Sequence, residues 1–534
     1  MITNRSFIIL ALSILSSATF AGTFTEEFTS TTFKDTATAV WNTASGKVHP
    51  TLRINNYQLV PAGAFASADF DVGDGSHGVF DSSTYANFGT VVGSTITIDA
   101  AIFPALKLTQ FNLAPGFVLT SVNGPLVIYS LSTILIDGTI QCSGTTGGNA
   151  AGAGGGAAGL GRCGGQNGGV GGNGTQSGTK GIPLAGAVTG GGGGNYVGAA
   201  PGAGGGGGGS YAGNPGQAGQ NSAPNTLGAG GTTLADHSFT ILTGGPGGGG
   251  GSGSNTEGGA GGGGGGGTII IHAVGDVTVS VTGLILAKGG NGGAAVSGGG
   301  GGGGGGGSVQ IFTPGQFALV PAGFPIDVSG GAGSVPSLAA AGDGGAGSYG
   351  RTWDVSNTFS GVGSESNASS LNAVGVVQYT TAARNVISKS YDTQSTESTF
   401  QSINSVPITS EVVFEVAGSN DNFAVDDTGF LPTTQINLLN AKRFVKFRMT
   451  LTNTNATTPM QIDQVQINYQ SPTPADKENF NFKGCGLIHA GPPPDRGLMN
   501  ILITMLLLLL PVIVSSRLKL SKAHAKNNRI QSKD

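Results

Sequence analysis

Ten consecutive glycines fill residues 298–307, and shorter runs occupy residues 204–209 and 261–267. Ordering ten such residues costs roughly 10–20 kcal/mol of backbone entropy, and no side chain is present to offset it. Two outcomes follow from that cost. The runs stay disordered, or they pack as polyproline-II-like helices of three residues per turn, with backbones close enough for interchain N–H···O and Cα–H···O bonds. The packed arrangement is the one favoured here, with Tyr196, Tyr211, Phe239 and Tyr349 interrupting the runs as caps or as ligand-facing aromatics. Glycine supplies 101 of 534 residues, and charged residues only 10% against an ordinary ~25%. The chain is therefore no ordinary globular enzyme, and its net charge of −4 argues against a nucleic-acid partner.

Three segments within the glycine-rich region align with one another, starting at Leu126, Thr268 and Ser308 and ending at Cys142, Lys288 and Val328. Each begins with a β-branched strand, turns, rises through a second strand and empties into glycine, the mark of a solenoid whose repeats cover one another. Ile96, Ile98, Leu106, Leu108, Phe111, Leu113 and Val118 read as earlier turns of the same stack. The expected fold class is all-β: a parallel β-helix over residues 91–350 with polyglycine-II-like lobes (144–267 and 289–307), then an antiparallel β-sandwich, then a C-terminal membrane helix. The pattern resembles bacterial surface β-helix proteins interrupted by glycine-rich excursions.

After a linker at 351–381, glycine falls away and alternation appears. Val445, Phe447, Met449 and Leu451 point one way and Lys446, Arg448 and Thr450 the other. Residues 382–470 read as the sandwich, which resembles discoidin-like and carbohydrate-binding jelly-roll modules. Before the solenoid, residues 22–90 form an N-terminal cap region. Its cluster of Asp69, Asp71, Asp74 and Asp81 lacks calcium-loop spacing and reads as a solvated turn, so no metal is expected.

The chain ends carry address information. Arg5, the apolar stretch from Phe7 to Leu15 and small residues up to Ala21 describe a signal peptide over 1–21, cut before Gly22. At the other end come a Pro-rich linker with Cys485-Gly486 (471–497), an apolar run expected to span a membrane (498–516) and a basic cytoplasmic tail (517–534). This arrangement resembles the myxobacterial-type and GlyGly-type sorting tags of Gram-negative bacteria. The resemblance implies processing at Cys485-Gly486 by a membrane protease, export to the cell surface and at least transient anchoring in the envelope membrane; the Pro492-Pro493-Pro494-Asp495 insert departs from the type.

In an oxidising compartment Cys142 and Cys163 are candidates for a disulfide, closing the first glycine excursion onto its strand. No G-x-S-x-G, H-E-x-x-H or paired C-x-x-C motif appears, the six histidines are scattered, and no cofactor or catalytic residue is indicated. The functional expectation is a non-enzymatic surface protein, an adhesin or an envelope structural component, with surface glycans or another cell surface as partners. The alternative is a polysaccharide-binding or polysaccharide-cleaving β-helix protein.

Overall fold

The structure, a computed structural model, describes residues 20–59, 68–183, 190–198, 201–208, 215–232, 244–321, 323–361, 373–456 and 459–471. Short β-branched and aromatic stretches become strands that pair in parallel across long excursions. In one row Leu106–Leu108, Leu126–Ser130, Thr268–Ala273 and the first half of Ser308–Leu319 lie side by side, with Ile128 opposite Ile271 and Ile271 opposite Ile311. In a second row Gln110–Leu113, Ile134–Ile136, Val277–Val279 and the second half of Ser308–Leu319 align, so that Phe111, Ile134, Val277 and Phe317 form a column. A six-stranded sheet carries the third row: Thr95–Asp99, Val118–Val122, Thr139–Gln141, Leu284–Leu286 and Ile326–Asp327. Apolar residues stacked one above another exclude water from a common core, in which Ile128, Ile136, Ile140, Ile271 and Ile285 are buried.

This arrangement corrects the fold class expected from the sequence. The parallel strands do not form separate rows of an open solenoid, because Ser308–Leu319 is one twelve-residue strand belonging to two rows at once, and it joins them into a single nine-stranded sheet that nearly closes around the core. The C-terminal membrane helix is also withdrawn. Among the described residues no helix is long and apolar enough to cross a membrane, and helical structure is limited to short 3₁₀ turns at Tyr85–Asn87 and Thr433–Leu439. The apolar run at 498–516 lies outside the described residues.

The antiparallel part takes strands from both ends of the chain. Phe20–Glu26 pairs with Gln464–Ser471, which pairs with Thr399–Val406; facing them, Lys34–Ala37, Arg384–Ser388, Phe444–Leu451 and Val412–Ser419 form the second sheet. Phe28, Trp41, Val416, Phe447 and Ile467 fill the space between them. The first part of the expected cap region thus completes the sandwich, because Phe24 and Phe28 find burial there that a solvated cap would not give. Only its later part closes the parallel stack: Val79–Phe80 pairs with Gln110–Leu113, and the Phe80 and Phe111 rings stack 4.8 Å apart. The expected linker is also structured in part, since Arg351–Gly361 adds a strand to Ser308–Leu319 and Ala373–Tyr379 pairs with Leu52–Leu59.

Candidate binding site at the tip of the glycine lobe

The glycine runs are hydrogen-bonded with a period of three. Within residues 258–267, Gly258, Gly261, Gly264 and Gly267 donate to Gly152, Gly148, Thr145 and Cys142; Gly259, Gly262 and Gly265 donate to Gly172, Gly169 and Gln166. The third set, Ala260, Gly263 and Gly266, donates to Gly299, Gly302 and Gly305, and all ten bonds measure 2.7–3.0 Å. Each turn of three residues therefore points its N–H groups at three different neighbouring chains. Residues 298–307 repeat the scheme toward chains 246–252, 287–293 and 342–348. Such contact leaves no room for a side chain: a Cβ on Gly262 would sit 2.1 Å from the Gly248 carbonyl oxygen, and one on Gly302 would sit 2.1 Å from that of Gly206. Rim chains have one open direction, and there every third residue carries a side chain, as at Ala157 and Leu160 or Thr179 and Ile182, all exposed.

The out-and-back course of these chains places seven turns, at residues 149–154, 173–177, 195–198, 221–226, 253–257, 294–297 and 334–341, at the end of the lobe remote from the sheets. Small polar side chains lock them to one another. Asn149 accepts the Ala294 N–H at 2.9 Å, and Asn173 accepts that of Gly155 at 2.6 Å. Buried Asn225 accepts the Val197 N–H at 2.6 Å and donates to the Pro201 carbonyl at 2.9 Å. Ser222 Oγ donates to the Ala340 carbonyl at 2.7 Å. Glu257, the only charged side chain in the seven turns, accepts N–H groups of Val296, Ser297 and Gly298. Partial burial works to raise its pKa, but these hydrogen bonds outweigh that effect and hold it below the usual glutamate value. Among neutral polar side chains such as Asn195, Asn221 and Thr256, the tip exposes four large apolar ones to solvent: Val197 (63% exposed), Val296 (58%), Val335 (72%) and Leu338 (43%).

No protein-family model, curated protein or solved structure matches the chain.

The aromatics singled out in the sequence are not gathered on one face. Tyr196 lies at the tip, half-buried, its hydroxyl donating to Asn255 Oδ1 at 2.5 Å. Tyr349 lies at the opposite end of the lobe, next to Arg351–Gly361, separated from the turn at 334–341 by an extended chain of roughly 25 Å at about 3.1 Å per residue. Tyr211 and Phe239 lie outside the described residues, as do Cys485 and Gly486. Ala21 and Gly22 belong to Phe20–Glu26, where Gly22 lies so close to the Tyr469 ring that a Cβ would stand 2.4 Å from it. Cys142 and Cys163 are joined in a disulfide at the base of the lobe, where Gly267 and Thr268 donate to their carbonyls at 2.7 and 2.8 Å. Among the described residues no cluster of His, Cys, Asp and Glu could hold a metal ion.

The tip residues were not singled out from the sequence, although a signal was there. Runs of pure glycine mark interior chains, a glycine pair followed by one larger residue marks a rim chain, and the Asn/Ser/Pro clusters that break both patterns are the turns.

Proposed function

We propose that this protein is an adhesin, exported from the cell, that binds another surface through the turns at the end of its glycine lobe. One observation carries the reading: seven turns converge at one end of a lobe whose interior is built almost entirely of glycine, and the turns present Val197, Val296, Val335 and Leu338 to solvent. Exposed valines and leucines gathered in one place are the mark of an interaction site rather than of a spacer. Binding through turns normally carries a cost of ordering them. Here the cross-links from Asn149, Asn173, Asn225, Ser222 and Glu257 have met that cost in the free protein, which favours affinity without large contact area.

The tip's only charge turns inward, so the partner surface is one recognised by shape, apolar contact and neutral hydrogen bonds, and binding depends weakly on ionic strength. The Cys142–Cys163 disulfide is in keeping with work outside the cytoplasm. Processing at Cys485-Gly486 by a sorting protease belongs to the same reading.

The test is adsorption of the purified full-length protein to intact bacterial cells at low and high salt, comparing wild type with Val197→Asp and Val335→Asp. The expected result is saturable, salt-tolerant binding that both substitutions abolish while the melting temperature is unchanged. Binding by both variants at wild-type level would sink the tip as the contact surface.

A further inference from the structure

We propose that the cleft between the sandwich and the parallel sheets is a binding site for a carboxylated sugar residue. The cleft encloses about 490 Å³ and is lined from three directions: Lys34 and Arg384 come from the sandwich, Asp69, Asp71 and Asp74 from the connecting segment, and Lys107 from the parallel strand Leu106–Leu108. That volume falls within the ~300–1,000 Å³ typical of small-ligand clefts. The site is independent of the tip, at the other end of the lobe.

Most of its charges are already matched. Lys34 Nζ lies 2.6 Å from Asp74 Oδ2, and Arg384 pairs with Asp69 while donating its Nε–H to Thr51 Oγ1 at 2.9 Å. Asp74 is partly buried, which works to raise its pKa, but Lys34 and Ser76 outweigh this and hold it at about 2. A carboxylate so firmly ionised is a poor proton donor, so the cleft suits binding better than acid catalysis.

Two groups are left over. Among the described residues the Lys107 ammonium has neither an ion-pair nor a hydrogen-bond partner, although its backbone is pinned on both sides by His77, whose N–H donates to the Lys107 carbonyl at 2.9 Å and whose Nδ1 accepts the Lys107 N–H at 3.0 Å. Asp71 uses one oxygen to accept the Gly73 N–H at 2.8 Å and keeps the other for an incoming donor. Gly73, at φ +75°, allows this approach, since a Cβ there would stand 3.1 Å from Lys107 Cβ. The remaining wall mixes apolar Ala37, Ala39, Val40, Trp41 and Phe70 with Thr38 and Thr51.

A ligand that completes this set brings one negative charge for Lys107 and hydroxyl donors for Asp71. A uronic acid residue has both. A neutral sugar leaves Lys107 unpaired, and a phosphate monoester, with close to two negative charges at neutral pH, places more negative charge beside three carboxylates than one free cation offsets.

The experiment is calorimetric titration of the full-length protein with a galacturonic acid trisaccharide and with the neutral galactose trisaccharide. The acidic sugar is expected to bind at least about tenfold more tightly. Lys107→Met should erase that preference, Lys107→Arg should retain it, and Asp71→Asn should weaken both sugars, all with unchanged melting temperature. Equal affinity for the two sugars, absence of saturable binding to either, or a preference that survives Lys107→Met overturns the proposal. Val335→Asp at the tip should leave the titration unchanged, which separates failure here from failure of the adhesion reading.

Discussion

Replacing Gly262 with alanine tests the reason for the glycine runs most directly. The new Cβ would lie 2.1 Å from the Gly248 carbonyl oxygen and 2.7 Å from that of Gly249, whereas ordinary contact begins at 3.4 Å. Chains 244–253 and 258–267 must therefore separate by 3.4 − 2.1 = 1.3 Å at this level. A shift of that size breaks the bonds that join them on either side, Gly248 N–H to Gly263 O (2.9 Å) and Gly251 N–H to Ala260 O (2.8 Å). Each buried pair left unmatched costs about 1–3 kcal/mol, while alanine returns up to about 1 kcal/mol by restricting the unfolded chain. The net expectation is a loss of about 3 kcal/mol. Denaturant unfolding followed by circular dichroism, together with amide exchange of residues 245–267, reads it. The control is Ala157→Ser on an exposed rim position, expected within about 0.5 kcal/mol of wild type. A Gly262→Ala protein as stable as wild type, with full amide protection, refutes the close-contact explanation.

Three further outcomes are expected. Cys142→Ser/Cys163→Ser removes a cross-link across a sequence separation of 21 and should destabilise the protein by about 3 kcal/mol through loop closure, with the loss read as a lower denaturant midpoint and amide protection falling first in residues 142–163. His49 and His272 are buried, and burial pulls each from 6.5 to about 4 despite hydrogen bonds that favour the charged form. Because their folded pKa values lie below the unfolded value, the unfolded chain takes up protons first. Stability is full above pH 6.5 and falls as pH drops toward 4, by on the order of 3 kcal/mol per histidine, and His272→Gln should flatten that fall in a series of melts from pH 7 to 4. At the tip, Leu338→Asp, like Val335→Asp, should abolish the proposed cell binding without changing the melting temperature.

Much of the parallel region was legible from residue type. The strands at Thr268–Ala273, Val277–Val279 and Ile134–Ile136 coincide with β-branched stretches that stand out against glycine. What periodicity missed was the corner between the second and third rows, where three-residue strands are too short to show alternation. That corner turns on one glycine: a Cβ on Gly138 would stand 2.5 Å from the Phe117 carbonyl oxygen. The joining of Phe20–Glu26 to Gln464–Ser471 had no local signature at all. Thr23 and Asn468, hydrogen-bonded at 2.9 Å, are 445 positions apart, and an apolar strand reads the same whichever partner it finds. The course of the chain was equally hidden at the aromatics, because composition places Tyr196 and Tyr349 in the same glycine-rich region while the fold sends them to opposite ends of it.

The sequence by itself determined the conflict that the fold must resolve. Glycine runs have no side chains to bury, so their backbones must bond to one another or stay unordered, and Cys142 and Cys163 are placed to close the first excursion. Tertiary structure alone decided which chains became neighbours. Hydrogen bonds with a period of three fit many pairings of glycine with glycine equally well, so the choice falls to the sheets that anchor each run at its base and to the few Asn, Ser and Glu side chains that join the turns at the other end. Those two constraints act between residues far apart in the chain, and they gather seven separate turns into one tip.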